Sequence, residues 1–237
     1  MASPKTLEIV KATVPILEEH GTAITTVFYK NMFNQHPELL DIFNETNQKL
    51  GRQQTALAMT VLAAAKHLDK LAVLLPQVTQ ISHKHRALQI LPEHYPIVGH
   101  HLIGAIKEVL GEAANDDIID AWTEAYDEIA DVFIQLEKTM YEQEMWEGFA
   151  PFKITEKVEA ATDIAAFTVV PANDDIDLSK LSLSAGQYIT VKADPEDSDH
   201  LALRHYSLYS ATSDKGIQFA VRRDNRNEHY GLVSNHL

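Results

Sequence analysis

Apolar residues in the first half of the chain recur every three or four positions, from Ser3 to about Tyr141. This is the period of an amphipathic helix, and the alternation typical of strands is almost absent there. The Ser3-Pro4 pair predicts a helix start, because serine caps helices and proline suits the first turn. Pro15 has no N–H for the helical ladder, and predicts a bend in the first helix. The first half is therefore predicted to be all-helical.

After Trp146 the apolar period changes to two, which is typical of strands. The alternating positions are Phe152, Ile154 and Val158, then 188–191, then Ile217, Phe219 and Val221. Asp, Asn, Ser and Gly lie between these runs and favour turns. The second half is predicted to be a β-barrel or sandwich. The boundary falls near Glu147-Gly148, giving domains at 1–146 and 150–237.

Three of the helical stripes contain a polar side chain at a position where the neighbours are apolar: Gln53, His85 and Tyr95. The stripes are Leu50, Gln53, Leu57, Val61, Ala64 and Leu68, then Val78, Ile81, His85 and Leu88, then Tyr95, Val98, Leu102, Ala105 and Val109. A buried amide or imidazole without a partner costs about 1–3 kcal/mol. One such residue alone could bond to backbone or lie near water. A glutamine, a histidine and a tyrosine on separate helices favour a shared polar ligand instead.

Charge and composition narrow the classes of partner. Acidic residues outnumber basic ones 34 to 20, and the formal charge of −14 opposes attraction to nucleic acid or anionic lipid. The chain has no cysteine, which excludes thiolate nucleophiles and cysteine-ligated metal sites. We find neither a signal peptide nor a membrane-spanning run, so a cytoplasmic protein with no nucleic-acid or membrane partner is predicted.

Motifs along nearly the whole chain resemble those of the flavohaemoglobin family. They are Phe28-Tyr29, Pro37-Glu38-Leu39 with Ile42-Phe43, Gln53, Lys84-His85, Tyr95 with Val98-Gly99, and Trp122 with Tyr126. The resemblance implies a multidomain fold, with an all-α globin fold followed by an all-β flavin-binding barrel of the ferredoxin-reductase type. The family continues into further barrel strands and a nicotinamide-binding domain that this sequence lacks. A truncated barrel is therefore expected.

The resemblance also implies a haem b site with named residues. His85 becomes the proximal ligand of the iron, and Phe43 packs on the haem plane. The distal pocket is then formed by Tyr29, Gln53 and Leu57, and the proximal histidine is linked to Tyr95 and Glu137. Taken alone, Phe43 and Leu57 could be ordinary core residues, Tyr29 could turn its hydroxyl to solvent, and Glu137 could be an exposed carboxylate beside Glu128 and Asp131.

In the β half, Arg204-His205-Tyr206-Ser207 resembles the Arg-x-Tyr-Ser motif of flavin domains. On a strand, Arg204 and Tyr206 share one face, and Ser207 is expected on the other face or in a bend. The resemblance implies that the arginine meets the FAD pyrophosphate, the tyrosine the isoalloxazine and the serine its reactive nitrogen. Tyr188 is then a second flavin-contacting aromatic. Ser234 lies in a segment similar to the start of the family's phosphate-binding helix, where the sequence stops, so an incomplete FAD site is expected.

The implied activity is the dioxygenation of nitric oxide with O2 to nitrate, with electrons passing from NAD(P)H through FAD. Tyr29 and Gln53 would stabilise the charge that develops on oxygen. A gas-binding or sensing globin without turnover is the alternative, because the reductase half is incomplete. A haem-free helical domain fused to a small flavin-binding or scaffold barrel is the third. Haem content and nitric oxide consumption discriminate among them.

Overall fold

A computed structural model describes residues 2–43, 47–48, 50–181, 184–212, 216–225 and 231–237. The chain divides into two compact units, Met1–Glu142 and Gln143–Leu237. The first is helical and the second contains the strands. The predicted class, an all-α region followed by an all-β region, is confirmed.

The α-helices of the first unit are α1 (Pro4–Ala12), α2 (Val14–Gln35), α3 (Arg52–Lys66), α4 (Leu75–Ala87), α5 (His94–Leu110) and α6 (Asp116–Tyr141). Short 3-10 segments lie at Pro37–Asp41, Leu68–Leu74 and Gly111–Ala113. Among the described residues, no helix combines the length and apolarity needed to cross a bilayer.

The first helix starts where the sequence predicts and stops earlier than expected. Ser3 Oγ accepts the Thr6 N–H at 3.1 Å, and Pro4 opens α1. At Pro15 the helix is broken rather than bent, since α1 ends at Ala12 and α2 begins at Val14. A proline cannot donate to the carbonyl four residues earlier, so the ladder opens here.

Thr13 stabilises the break between α1 and α2. Its hydroxyl donates to the carbonyl oxygen of Val10 at 2.7 Å and accepts from Nε1 of Trp122 on α6 at 3.1 Å. Both side chains are buried. The break is therefore a packed junction of three helices.

Two apolar clusters lie inside the helical unit. The larger contains Phe28, Met32 and Ile106, which are almost fully buried, and joins α1, α2, α3, α5 and α6. The smaller is built on Tyr95, Ala130 and Phe133, with residues of α4 packed against it. The larger cluster contains the side chain of Tyr29, and the smaller contains that of Tyr95.

The stripe predicted for α3 is wrong at its first member. Leu50 is 57% exposed. Gly51 has φ +68°, in the left-handed region that favours glycine, and this turn precedes the first residue of α3, Arg52. Leu50 is thus outside the helix, and the helical period does not extend to it.

The second unit is a five-stranded antiparallel sheet in the order β1-β2-β5-β4-β3. Its strands are β1 (Phe152–Ala161), β2 (Ile164–Pro171), β3 (Tyr188–Ala193), β4 (Ala202–Thr212) and β5 (Gly216–Arg222), and a short helix, α7, covers Leu232–His236. In the described part of the chain, β1 and β3 are edge strands, so the sheet is open and is not closed into a barrel.

One face of the sheet carries its aromatic core. The ring of Phe219 stacks between those of Phe167 and Tyr206, with centroids 5.5 and 5.4 Å away. Cross-strand pairing of β2, β5 and β4 brings these rings together. Tyr206 therefore lies on the packed side of β4.

Candidate functional site

His85, Tyr95 and Glu137, on three different helices, meet in one hydrogen-bonded group, which we call the proximal triad. His85 Nδ1 lies 2.8 Å from Glu137 Oε1 and 3.2 Å from Tyr95 Oη. Tyr95 Oη donates to the same carboxylate, 2.9 Å from Oε1 and 2.8 Å from Oε2. Glu137 is only 3% exposed, so its carboxylate depends on these two donors.

The hydrogen bonds of the triad indicate the tautomer of His85 and the state of the Tyr95 phenol. Burial and the adjacent Glu137 carboxylate raise the pKa of Tyr95 well above its usual range, which keeps the phenol protonated. An ionised carboxylate only accepts hydrogen bonds, so the Nδ1 of His85 carries a proton and donates it. A neutral imidazole then has its lone pair on Nε2, and no described residue bonds to that atom. Nε2 is available as a metal ligand.

Aromatic packing supports the triad. Tyr126 Oη donates to the carbonyl oxygen of Tyr95 at 2.6 Å, and the Phe133 ring lies 5.6 Å from that of His85. A Cβ added at Gly99 would stand 2.5 Å from Cε1 and 2.8 Å from Cδ1 of Tyr126. The position of Tyr126 thus requires glycine at 99.

Gly99→Ala is expected to destabilise the helical unit by about 1–3 kcal/mol, because the new methyl group overlaps a tightly packed ring. A thermal or urea unfolding curve measures this loss. Gly104→Ala is the matched control, since it lies on the same helix with nothing within 4 Å of the added Cβ. It should stabilise α5 by roughly 0.5–1 kcal/mol. Equal stability changes in the two variants would contradict the packing role of Gly99.

A second group, the distal group, surrounds Tyr29 on α2. The ring centroid of this buried tyrosine lies 4.7 Å from that of Phe28. It lies 5.7 Å from the ring centroids of both Phe33 and Phe43. Burial raises the pKa of Tyr29 well above its usual range, so the phenol stays protonated. Its hydroxyl makes no hydrogen bond to another described residue. Tyr29 therefore offers, in apolar surroundings, a donor that no other described residue uses.

The predicted distal residues Gln53 and Leu57 lie on α3, and both are half-buried. Gln53 Oε1 accepts a hydrogen bond from Nε2 of Gln48. Gln54 Nε2 donates to Gln48 Oε1 at 2.9 Å. Neither Gln48 nor Gln54 stands on a predicted stripe, so periodicity does not point to them. The sequence feature that could have indicated this hydrogen-bonded group is the recurrence of glutamine at 48, 53 and 54.

The two groups belong to different apolar clusters. Tyr29 is in the larger cluster, with Phe43 and Leu57 packed against it, and Tyr95 is in the smaller. The apolar residues beside each group, Phe43, Leu57 and Val61 in one and Val78 and Ile81 in the other, are only half-buried. The proximal triad offers a metal ligand, and the distal group offers hydrogen-bond donors. Both leave apolar surface that a flat apolar group could cover.

The flavin-motif residues of the second unit lie on two adjacent strands. Tyr188 of β3 pairs with Ser207 of β4, and Ile189 pairs with Tyr206. Directly paired residues share a face, so Tyr188 and Ser207 lie on one face and Tyr206 on the other. The Tyr188 ring is 42% exposed and 4.9 Å from the His205 ring. The structure does not bring the two tyrosines together on one face.

Two further predicted residues contact backbone. Nη1 of Arg204, on the same face as Tyr206, donates to the Leu203 carbonyl oxygen at 2.9 Å. Burial raises the pKa of Tyr206, so its phenol stays protonated. Ser234 Oγ, within α7, accepts the N–H of Asp224 at 3.0 Å. The serine hydroxyl thus joins α7 to the segment after β5.

Comparisons with known proteins give consistent matches for both units. The globin family matches residues 26–133. A flavohemoprotein of Oceanobacillus iheyensis is 49% identical over 238 residues, which cover 98% of this chain and 58% of that protein. The chain therefore spans about three fifths of the length of such curated relatives.

Solved structures match the whole chain or its helical unit. A flavohemoglobin from Malassezia yamatoensis, with bound FAD and heme, superposes with a TM-score of 0.80 at 28% identity, covering 97% of this chain and 62% of that one. A bacterial globin from Campylobacter jejuni is 39% identical with a TM-score of 0.57, covering 60% of this chain and 100% of that one.

Proposed function

Because this chain belongs to the globin family, in its flavohaemoprotein branch, we propose that its helical unit binds haem b through His85 and converts nitric oxide with O2 to nitrate. The balance, NO + O2 + e⁻ giving NO3⁻, requires one electron for each nitric oxide. That electron is proposed to come from NAD(P)H through FAD.

The proximal triad is the observation that carries this proposal. A neutral imidazole with its Nε2 lone pair available is the donor that haem iron takes in globins. Glu137 accepts the other ring N–H at 2.8 Å, which fixes the ring orientation and makes it more electron-donating. Tyr95 holds the carboxylate in place through both of its oxygens. The donor set fits a haem that activates oxygen.

The distal group supplies the electrostatics of the proposed reaction. When bound, haem supplies an iron centre that binds diatomic gases and exchanges electrons. The Tyr29 hydroxyl and the Gln53 amide are the proposed donors to negative charge developing on oxygen. Phe43 and Leu57 add apolar side chains that exclude water, which strengthens both hydrogen bonds. We assign the catalytic roles to Tyr29 and Gln53 and positioning roles to Tyr95 and Glu137.

The second unit is proposed to contribute to an FAD site along strands β3 and β4. Arg204 would meet the pyrophosphate, and Tyr188, Tyr206 and Ser207 the flavin ring system. Since β3 is an edge strand of the described sheet, a long dinucleotide crossing that edge could reach residues on both faces. Ser234 stays a prediction.

The visible spectrum of the purified chain tests the proposal, before and after dithionite and carbon monoxide. We expect a haem spectrum that shifts on reduction and on binding carbon monoxide, and FAD in the supernatant after denaturation. Nitric oxide consumption is then followed in air-saturated buffer with NADH, with and without an added flavin reductase. Nitrate formed in step with nitric oxide lost supports dioxygenation.

Each alternative gives a different result in the same experiment. Haem without nitric oxide consumption, even with the added reductase, would favour a gas-binding or sensing globin. Absence of haem would contradict the proposal and favour the haem-free reading. Haem with consumption only when the reductase is added would assign oxygen chemistry to this chain and electron supply to a partner.

A further inference from the structure

Three glutamine side chains around the start of α3 are linked in one direction, and we call them the glutamine relay. Gln54 Nε2 donates to Gln48, at 2.9 Å to its Oε1 and at 3.2 Å to its carbonyl oxygen. Gln48 Nε2 in turn donates to Gln53 Oε1. All three side chains are half-buried.

The relay determines which end of the Gln53 amide remains for a hydrogen bond to a ligand. A primary amide has one acceptor oxygen and one nitrogen with two N–H donors. Since Gln53 Oε1 already accepts from Gln48, its Nε2 is the remaining end, and no described residue bonds to it. Reversal of the Gln53 amide would place its N–H groups against the N–H groups of Gln48. The relay therefore presents Gln53 as a donor.

Thr25 anchors the relay to the helix that carries Tyr29. The Thr25 hydroxyl lies 2.9 Å from the carbonyl oxygen of Gln54 and is buried. Residues four apart share a helix face, so Thr25 and Tyr29 lie on the same face of α2. The start of α3 is thus tied to that face of α2 one turn before Tyr29.

We propose that Gln48 is a positioning residue that holds the Gln53 amide in its donor orientation. This inference rests on the proposed function, in which Gln53 and Tyr29 both donate to oxygen. Gln48 does not itself touch the gas. Its effect passes through the hydrogen bond between Gln48 Nε2 and Gln53 Oε1.

Gln48→Glu in the full chain loaded with haem is the direct test. The carboxylate has the shape of the amide and still accepts from Gln54, but it has no N–H for Gln53 Oε1. The new carboxylate would accept a hydrogen bond from Gln53 Nε2 instead, which reverses the orientation of the Gln53 amide. We expect the infrared stretch of bound carbon monoxide to rise in frequency, because a donor is lost. The oxygen dissociation rate should rise roughly threefold to tenfold.

Controls separate this role from a general effect of charge or folding. Gln77→Glu adds the same charge at an exposed position in the first turn of α4 and should leave the stretch and the rate unchanged. Gln48→Leu, which adds no charge, should shift the stretch in the same direction as Gln48→Glu. In a Gln53→Leu background, Gln48→Glu should cause no further change.

The outcomes are distinct. An unchanged stretch in haem-loaded Gln48→Glu, or an equal shift with Gln53 already removed, would overturn the relay and leave the proposed function standing. If the unmodified chain takes up no haem, the proposed function is wrong and the relay has no oxygen chemistry to serve. A shift that needs Gln53 supports the proposal.

Discussion

Replacement of His85 by alanine is expected to remove stable haem binding. In the proposed site, His85 Nε2 is the ligand of the iron, and the second imidazole nitrogen is held by Glu137 at 2.8 Å. Loss of residues that only orient a ligand typically lowers metal affinity 10–100-fold, so loss of the ligand itself should lower haem affinity by more than about 100-fold. Haem retained after desalting, measured by the pyridine haemochrome method, checks this.

His83→Ala is the matched control for this prediction. His83 lies on the same helix, two residues earlier, and is exposed. It should keep the haem content of the unmodified protein. Far-ultraviolet circular dichroism shows whether each variant retains its helices. A folded His85→Ala protein with full haem content would refute the ligand assignment.

Tyr29→Phe is expected to accelerate oxygen release by roughly 10- to 100-fold. A hydrogen bond to a charged partner contributes about 1.5–3 kcal/mol, and the Tyr29 phenol is the proposed donor to charge on oxygen. Phenylalanine keeps the ring that packs on Phe33 and Phe43. Stopped-flow displacement of oxygen measures the rate. Carbon monoxide, which develops less charge, should dissociate with little change.

The control for Tyr29 is another tyrosine of the helical unit. Tyr141 Oη donates to the carbonyl oxygen of Ile90 at 2.7 Å, so Tyr141→Phe also removes a hydroxyl. Its oxygen dissociation rate should match that of the unmodified protein. If Tyr29→Phe accelerated the release of both gases equally, its role would be steric rather than electrostatic.

Helical periodicity could predict part of the candidate site. His85 and Tyr95 stand out because each is polar on an apolar stripe, and the structure places their side chains 3.2 Å apart. Glu137 does not stand out, because acidic residues lie nearby on the same helix. Its burial follows from the packing of α4, α5 and α6, which the order of residues along one helix does not reveal. The resemblance to a family, rather than the pattern, identified it.

The parts that the sequence could not predict depend on turns and on strand register. Gly51 turns the chain at positive φ, which puts Leu50 outside the stripe, and Gln48 precedes this turn and lies outside α3. Alternation along β4 correctly separates Tyr206 from Ser207. The face of Tyr188 depends on its pairing with Ser207, and register between strands is set by the whole sheet.

The strand order of the second unit also has a consequence for synthesis on the ribosome. β2 lies between β1 and β5, although β3 and β4 are made before β5. At roughly 5–20 residues per second, one side of β2 stays unpaired for on the order of seconds after that strand emerges. The helical unit precedes β1 in the chain, so its synthesis is complete by then. The nascent chain thus exposes an unpaired edge of β2 until β5 has been made, after synthesis of the helical unit is complete.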